Sequence, residues 1–465
     1  MSKSQININT NTATKQQLEL SSDIWILIAL ALGFFMATLD VTVVTVAVAD
    51  IQNKLNMGIS GATWVVDGYI LSFASLLLAG GSLANRYGAK NVYLIGLVFF
   101  VLASIFCALA PNGNTLITAR IIQGIGAALF MPSSLSLLAF SFSDPVKRAK
   151  IFGIWQSIVS VAAGLGPFIG GALVNTLGWQ SIFLINIPIG IVGIVLAYFI
   201  VEQPPRVQIK LSVISNILGI TTLALLSYAL IQGPTLGWVS PRIIGIVILM
   251  FASGILFIIR ENKSKNPIIP KKLFKNKSFS AGNTVGFFIN FSMFGGIFMF
   301  GLFLQKARGA SPFLAGLELL PMMVVFVIGN LLFARLTTKL GVKTPLLLSL
   351  LLAAIGSFIL TAISPTMPYW IIAVIYAIVN GGIGVAVPAM TAAVMQDAGS
   401  NANIAGATLN ANRQIGALVG IAVMGAVLDE SQNWSNGASN TFLVMSIAYL
   451  LATILVWKFV RTKTE

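Results

Sequence analysis

The chain has 465 residues, 57% hydrophobic and only 9% charged, and its 28 Lys and Arg against 13 Asp and Glu leave a net charge of +15. That composition describes a polytopic membrane protein most of whose surface meets lipid, with no room for a large soluble domain. The absence of histidine and the single cysteine, Cys107, exclude a disulfide framework and the usual zinc, haem and triad chemistries, so no metal, no cofactor and no enzymatic activity are expected.

Residues 1 to 23 are polar, rich in Asn, Thr and Gln, and lack the form of a signal peptide; they read as a disordered cytoplasmic tail. Apolar runs of about twenty residues then recur to the C-terminus. They predict fourteen transmembrane helices at 24–49, 63–84, 91–110, 115–140, 151–176, 181–202, 211–232, 241–260, 279–304, 311–334, 344–364, 368–393, 403–428 and 441–461. With the N-terminus inside, the external loops receive only Lys54, Arg242, Lys306 and Arg308, Arg120 and Arg413 fall within spans, and the other 22 of the 28 basic residues are internal. Both termini are therefore expected in the cytoplasm of a bacterial cell, with a multi-pass plasma-membrane location. The basic run from Arg260 through Lys263, Lys265, Lys271, Lys272, Lys275 and Lys277 reads as an anchor at the inner leaflet rather than a nucleic-acid surface.

An internal repeat divides the chain. The turn after the second span, SLANRYGAKNVYLIGL (82–97), aligns with the turn after the tenth, RLTTKLGVKTPLLLSL (335–350), pairing Leu83 with Leu336, Arg86 with Lys339, Gly88 with Gly341 and Lys90 with Lys343. Chance agreement between two basic turns is the alternative. The repeat implies an all-α membrane fold of two six-helix bundles, 24–202 and 279–461, with two extra helices and a basic loop inserted at 203–278 and a short tail at 462–465.

Several motifs then carry a resemblance. Gly81-Ser-Leu-Ala-Asn-Arg-Tyr-Gly-Ala-Lys90 resembles the loop signature of the major facilitator superfamily, with Asn85 in place of its usual Asp and Ala89 in place of Arg. Arg120-Ile-Ile-Gln-Gly-Ile-Gly-Ala-Ala128 with Pro132 resembles the helix 4 motif. Gly153 with Gly166-Pro-Phe-Ile-Gly-Gly171 resembles the helix 5 motif of antiporters, with Ala162 where glycine is common. LDVTVVTVAVAD (39–50), Trp64-Val-Val-Asp-Gly-Tyr69 and Gly178-Trp-Gln-Ser-Ile-Phe-Leu-Ile-Asn-Ile-Pro-Ile-Gly190 are similar to signatures of fourteen-helix drug:proton antiporters, with Thr45 for Asn and Ala49 for Pro. The resemblance implies alternating access, with Asn85, Arg86 and Gly88 at an inner gate and Gly166, Pro167, Gly170 and Gly171 on a rocking seam. An amide at position 85 carries no charge for Arg86 or for a helix dipole, which implies a weaker inner closure. Small residues also serve static packing in any membrane bundle, so the glycines alone leave both readings open.

Ionisable residues inside spans cost several kcal/mol and persist where a partner or a wet cavity receives them. Counted from the external helix ends, Asp40 lies on the order of 12 Å deep, Asp67 roughly 6 Å, and Arg120 and Glu318 roughly 8 to 10 Å. Asp40 and Arg120 are at compatible depths, either as a fixed ion pair or as a proton-binding carboxyl governed by the guanidinium and by changing wetting of the cavity. Asp67, Arg120 and Glu318 join Asp40 as proton-coupling candidates. Asp67 with Trp64 and Tyr69, and Gln123, Asn290 and Asn380, are candidates for substrate contact, since a carboxylate beside aromatic faces attracts a lipophilic cation; solvation near a helix end and interhelical hydrogen bonding are the plainer alternatives. Arg413 reads as structural.

The leading function is proton-coupled efflux of amphipathic, cationic drugs, dyes or biocides, in which the partners are small-molecule substrate, protons and membrane lipid, and a monomer is expected. A metabolite or antibiotic-specific permease of the same fold is the alternative, and a non-transporting sensor or integral enzyme is the third class. No Walker-type phosphate loop is present, so the driving force is read as the membrane's, about 2.3 kcal/mol per charge per 100 mV.

Overall fold

The computed structural model describes residues 3–142, 145–205, 213–264, 271–398 and 402–460. Among these residues the regular elements are all helical. In chain order they are α1 (Lys3–Lys54), α2 (Ile59–Tyr87), α3 (Ala89–Ala108), α4 (Gly113–Ser141), α5 (Pro145–Leu177), the short α6 (Ser181–Leu184), α7 (Asn186–Ile200), α8 (Val213–Leu236), α9 (Pro241–Lys263) and the short α10 (Lys271–Phe274). There follow α11 (Lys277–Leu302) with a π-helical turn (Phe303–Ala307), α12 (Pro312–Leu340), α13 (Lys343–Ile359) with a 3-10 turn (Leu360–Ala362), α14 (Tyr369–Ala398), α15 (Ala402–Glu430) and α16 (Trp434–Phe459).

Thirteen helical stretches among the described residues are long and apolar enough to cross a bilayer, and α5 adds the shorter apolar stretch Val161–Leu177, so 13 to 14 spans fit the predicted fourteen. One expectation is corrected. Residues 3–23, read as a disordered tail, continue the first helix, because no Gly or Pro interrupts the chain before Gly33. Elsewhere the ends follow local chemistry: the side chains of Asn112, Ser240, Asn276, Ser311 and Asn433 each accept a backbone N–H of the helix that follows, and Pro241 and Pro312 occupy first helical positions.

The aligned turns of the repeat have matching geometry. Gly88 and Gly341 end α2 and α12 with φ of 100° and 68°, a region costly for any residue with a Cβ, and their N–H groups donate to Ala84 and Thr337. Lys90 Nζ donates to the Tyr198 carbonyl at 2.7 Å, and Lys343 Nζ to the Trp457 carbonyl at 3.2 Å. Each acceptor lies two residues before the end of its helix, α7 or α16.

Within the first part of the chain α4 packs on α2 and α3, and α1 on α5 and α7; in the last part α11 packs on α15 and α16, and α14 on α12 and α13. Across the middle, α5 meets α12, α2 meets α15 and α1 meets α11. The α8–α9 pair rides on α2 and α15 and leaves most of its apolar surface, Phe251 and Ile248 included, exposed as a lipid-facing helix must. It is tied down at the end opposite the Gly88 and Gly341 turns. There Thr235 lies 3.2 Å from Ser60 of α2 and 3.4 Å from Asp429 of α15, and the Trp238 indole donates to Glu430.

Candidate functional site

Asp40 of α1 and Arg120 of α4 meet, as their depths allow. Arg120 Nη1 lies 2.5 Å from Asp40 Oδ2, and both side chains have no solvent exposure. The pair sits in a closed polar knot. Gln123 Nε2 at 3.0 Å and Asn186 Nδ2 at 2.9 Å donate to Asp40 Oδ1. Arg120 also donates to the Val65 carbonyl at 2.9 Å and to Gln123 Oε1 at 2.6 Å, and Gln123 donates to Ser104 Oγ at 2.9 Å. The Tyr69 ring lies 4.5 Å from the guanidinium, with Phe183 on another side at 5.7 Å. A wet chamber around Asp40, one of the two sequence-based readings, is therefore not what this conformation contains. The charge is enclosed because α1, α2, α3, α4 and α7 each supply a group to the network, in which Arg120 Nη2 and Asn186 Oδ1 are left without a hydrogen-bond partner, and a buried hydrogen-bonded pair fixes helix register.

Asp67 has the opposite environment. It is 0% exposed, and neither carboxylate oxygen has a hydrogen-bond partner. Asp67 lies one turn along α2 from Thr63, on the same helix face. That face meets α15: a Cβ at Gly425 would stand 2.5 Å from Thr63 Oγ1, so the acid sits beside the seam between the two parts of the chain. The aromatics expected to flank it point elsewhere. Trp64 pairs with Tyr228 of α8 at 6.4 Å between centroids, and Tyr69 covers Arg120.

The remaining predicted residues are not brought into one constellation. Gln123 belongs to the Asp40 knot. Asn290 and Asn380 are buried and donate to the carbonyls one turn back, Gly286 at 3.0 Å and Tyr376 at 2.9 Å, so their donors serve their own helices. Half-buried Glu318 on α12 accepts the Tyr369 hydroxyl through its main-chain carbonyl at 2.6 Å, while its Oε2 has no partner. Arg413 on α15 has a buried, unpartnered Nε and packs against Gly286. Asn85 and Arg86 are exposed beside the Gly88 turn, and the Arg86 guanidinium lies 5.4 Å from the Tyr87 ring. Sequence reasoning gave no role to Asn186 and Ser104. The signal for Asn186 was available, as the one amide in the apolar run of α7.

The glycines of α5 lie against two partners. A Cβ at Gly166 would fall 1.8 Å from Thr42 Oγ1, and one at Gly170 2.9 Å from the Val43 carbonyl, both on α1. On the other side a Cβ at Gly171 would fall 2.4 Å from the Pro312 carbonyl, and one at Gly316 2.3 Å from the Pro167 carbonyl, so α5 and α12 touch main chain to main chain. At the same end Gln305, in the π-helical turn, donates to the Val46 carbonyl at 2.8 Å, and Lys306 to Asn53 at 2.5 Å.

Comparison with known proteins places this fold in a family. Residues 30–421 match the Major Facilitator Superfamily. The chain is 55% identical over 429 residues to a methylenomycin A resistance protein of Bacillus subtilis, covering 92% of each chain. It is 48% identical over 429 residues to a methylenomycin A resistance protein of Streptomyces coelicolor, covering 92% of this chain and 90% of the other. Among solved structures, a D-xylose-proton symporter superposes with a TM-score of 0.65 at 17% identity, covering 94% of this chain and 98% of the other, a likeness of fold alone. The repeat, the paired seams and this match together make the chain a multi-pass membrane transporter belonging to the major facilitator superfamily.

Proposed function

We propose that this transporter exports an antibiotic by exchanging it for protons, rocking the bundles 24–202 and 279–461 against each other about the α5–α12 and α2–α15 seams. The observation that carries the proton step is Asp67, a carboxyl with no donor on either oxygen at a seam that has to part during transport. An ionised carboxylate there faces neither a donor nor a counter-charge, which costs several kcal/mol in a hydrocarbon surround, whereas the neutral acid is tolerated. Parting of α2 from α15 admits water and lets the proton leave; closing over the carboxyl requires it back. Asp40 serves instead to hold α1 on α4 through Arg120.

For the substrate, methylenomycin A is the compound to test first, because relatives 55% and 48% identical carry its name. Amphipathic cations are the second class, supported by the buried acid. They rank lower because Trp64 and Tyr69 form no cage over it. The charge bias supports an orientation with the Gly88 and Gly341 turns inside the cell.

The test is purified protein in proteoliposomes under an imposed pH gradient, following drug accumulation and internal pH together. Wild type should accumulate methylenomycin A and release protons in step. Asp67→Asn should lose gradient-driven accumulation by at least about tenfold while still exchanging drug for drug at equal pH, as expected when a coupling step and not binding is removed. Full gradient-driven activity of Asp67→Asn overturns the assignment. Accumulation of ethidium but not methylenomycin A moves the substrate to the cationic class.

A further inference from the structure

At the end of the bundle that carries the Gly88 and Gly341 turns, a cavity of about 900 Å³ opens between the start of α11, the start of α13 and the end of α16. Lys275, Lys277, Lys343 and Lys458 line it together with Asn276, Ser278, Phe459 and Val460. Among the described residues that line it none is acidic. The Asn276 side-chain oxygen is already used by the Ser278 and Phe279 amides, so what that amide still offers the cavity is its NH2. Four ammonium groups, three from helices and Lys275 from the turn before α11, repel one another, and the described residues of the wall supply donors and cations but no counter-charge. Such a wall is complementary to an anion with several oxygens.

The first half of the repeat separates this charge from the needs of the fold. Lys90 makes the same bond to the end of α7 that Lys343 makes to the end of α16, yet Phe199 stands where Lys458 would be. The Lys90 ammonium is also covered by the Tyr198 ring at 5.7 Å. The helix arrangement thus needs one lysine per half. Lys275, Lys277 and Lys458 are additional to that bond.

We propose that this cavity binds the phosphate headgroup of an anionic phospholipid. The shared chemistry is a phosphate; the lipid is the source because Phe459 in the cavity wall, Trp457 and Phe274 are 38%, 65% and 41% exposed and offer acyl chains an apolar path from the headgroup. A volume near 900 Å³ also exceeds what one free phosphate fills, and lies in the range of about 300–1,000 Å³ that holds larger ligands. Basic pockets between membrane helices take lipid headgroups on these terms.

The test is lipid retention by the full-length protein, measured by native mass spectrometry during titration with phosphatidylglycerol or with phosphatidylcholine of the same acyl chains. Wild type should retain phosphatidylglycerol at least about tenfold more tightly, on about 1 kcal/mol per lysine near the phosphate. K343Q/K458Q should bring it down to the level of phosphatidylcholine, K343R/K458R should keep it, and K54Q at the opposite end should leave it unchanged. Equal retention of the two lipids by wild type overturns the proposal, and that comparison needs no variant to insert correctly. Unaltered preference in K343Q/K458Q also overturns it, as does displacement by millimolar inorganic phosphate, which would make the site one for the free anion.

Discussion

Two buried aspartates on neighbouring helices separate cleanly by their partners. Asp40 receives Arg120, Gln123 and Asn186, whereas Asp67 receives nothing. Removing one member of a buried ion pair leaves the other charge stranded, so Asp40→Asn should destabilise the protein by about 3–5 kcal/mol, read as a lower unfolding temperature in detergent. Asp40→Asn combined with Arg120→Gln should recover much of that loss; a double variant no more stable than the single one would show that the ion pair is not what holds α1 to α4. Depth along the helix made the Asp40 to Arg120 contact legible in the sequence. What the sequence did not disclose is the closure of the knot, because Asn186 and Ser104 come from spans whose rotation about their own axes hydropathy does not fix. For the same reason Trp64 and Tyr69, adjacent to Asp67 along the chain, face Tyr228 and Arg120 instead.

At the level of helices, α5 and α12 are among the pairs whose contact has no slack. Gly316→Ala puts a carbon 2.3 Å from the Pro167 carbonyl, and overpacking of this kind costs about 1–3 kcal/mol in the packed state. Because the strain vanishes when the seam parts, Gly316→Ala should express and fold but export poorly, by about tenfold, and a vesicle transport assay beside a thermal unfolding curve checks both halves of that expectation. Helix positions were readable from hydropathy because lipid demands about twenty apolar residues per crossing. The first helix was misjudged at its start, since polar composition argued for disorder while the lack of Gly and Pro allowed the helix to continue. The role of the α5 glycines was readable only as small residues; which backbone each one meets depends on the crossing of α1 and α12.

For the molecule as a whole, charge distribution and internal repeat make one testable statement about orientation. Exposed Asn114 lies beside the start of α4, at the end where the seams are closed, and exposed Lys339 lies beside the Gly341 turn. Cys107, the native thiol, is fully buried and gives little background. On intact cells a membrane-impermeant maleimide should therefore label Asn114→Cys and spare Lys339→Cys, with the pattern reversed in inside-out vesicles; the opposite result inverts the topology. The repeat was legible at this scale because Gly88 and Gly341 need positive φ and Lys90 and Lys343 need a helix end to reach.

The α5–α12 closure also bears on how the pump meets a changing environment. At Gly171 and Gly316 its faces are peptide groups and single hydrogens, so the contact at these two glycines offers no ionic attraction for dissolved salt to weaken. Drug-for-drug exchange at fixed pH should hold its rate from dilute buffer to molar potassium chloride, giving a bacterium in brine and one in fresh water the same tightness against leak.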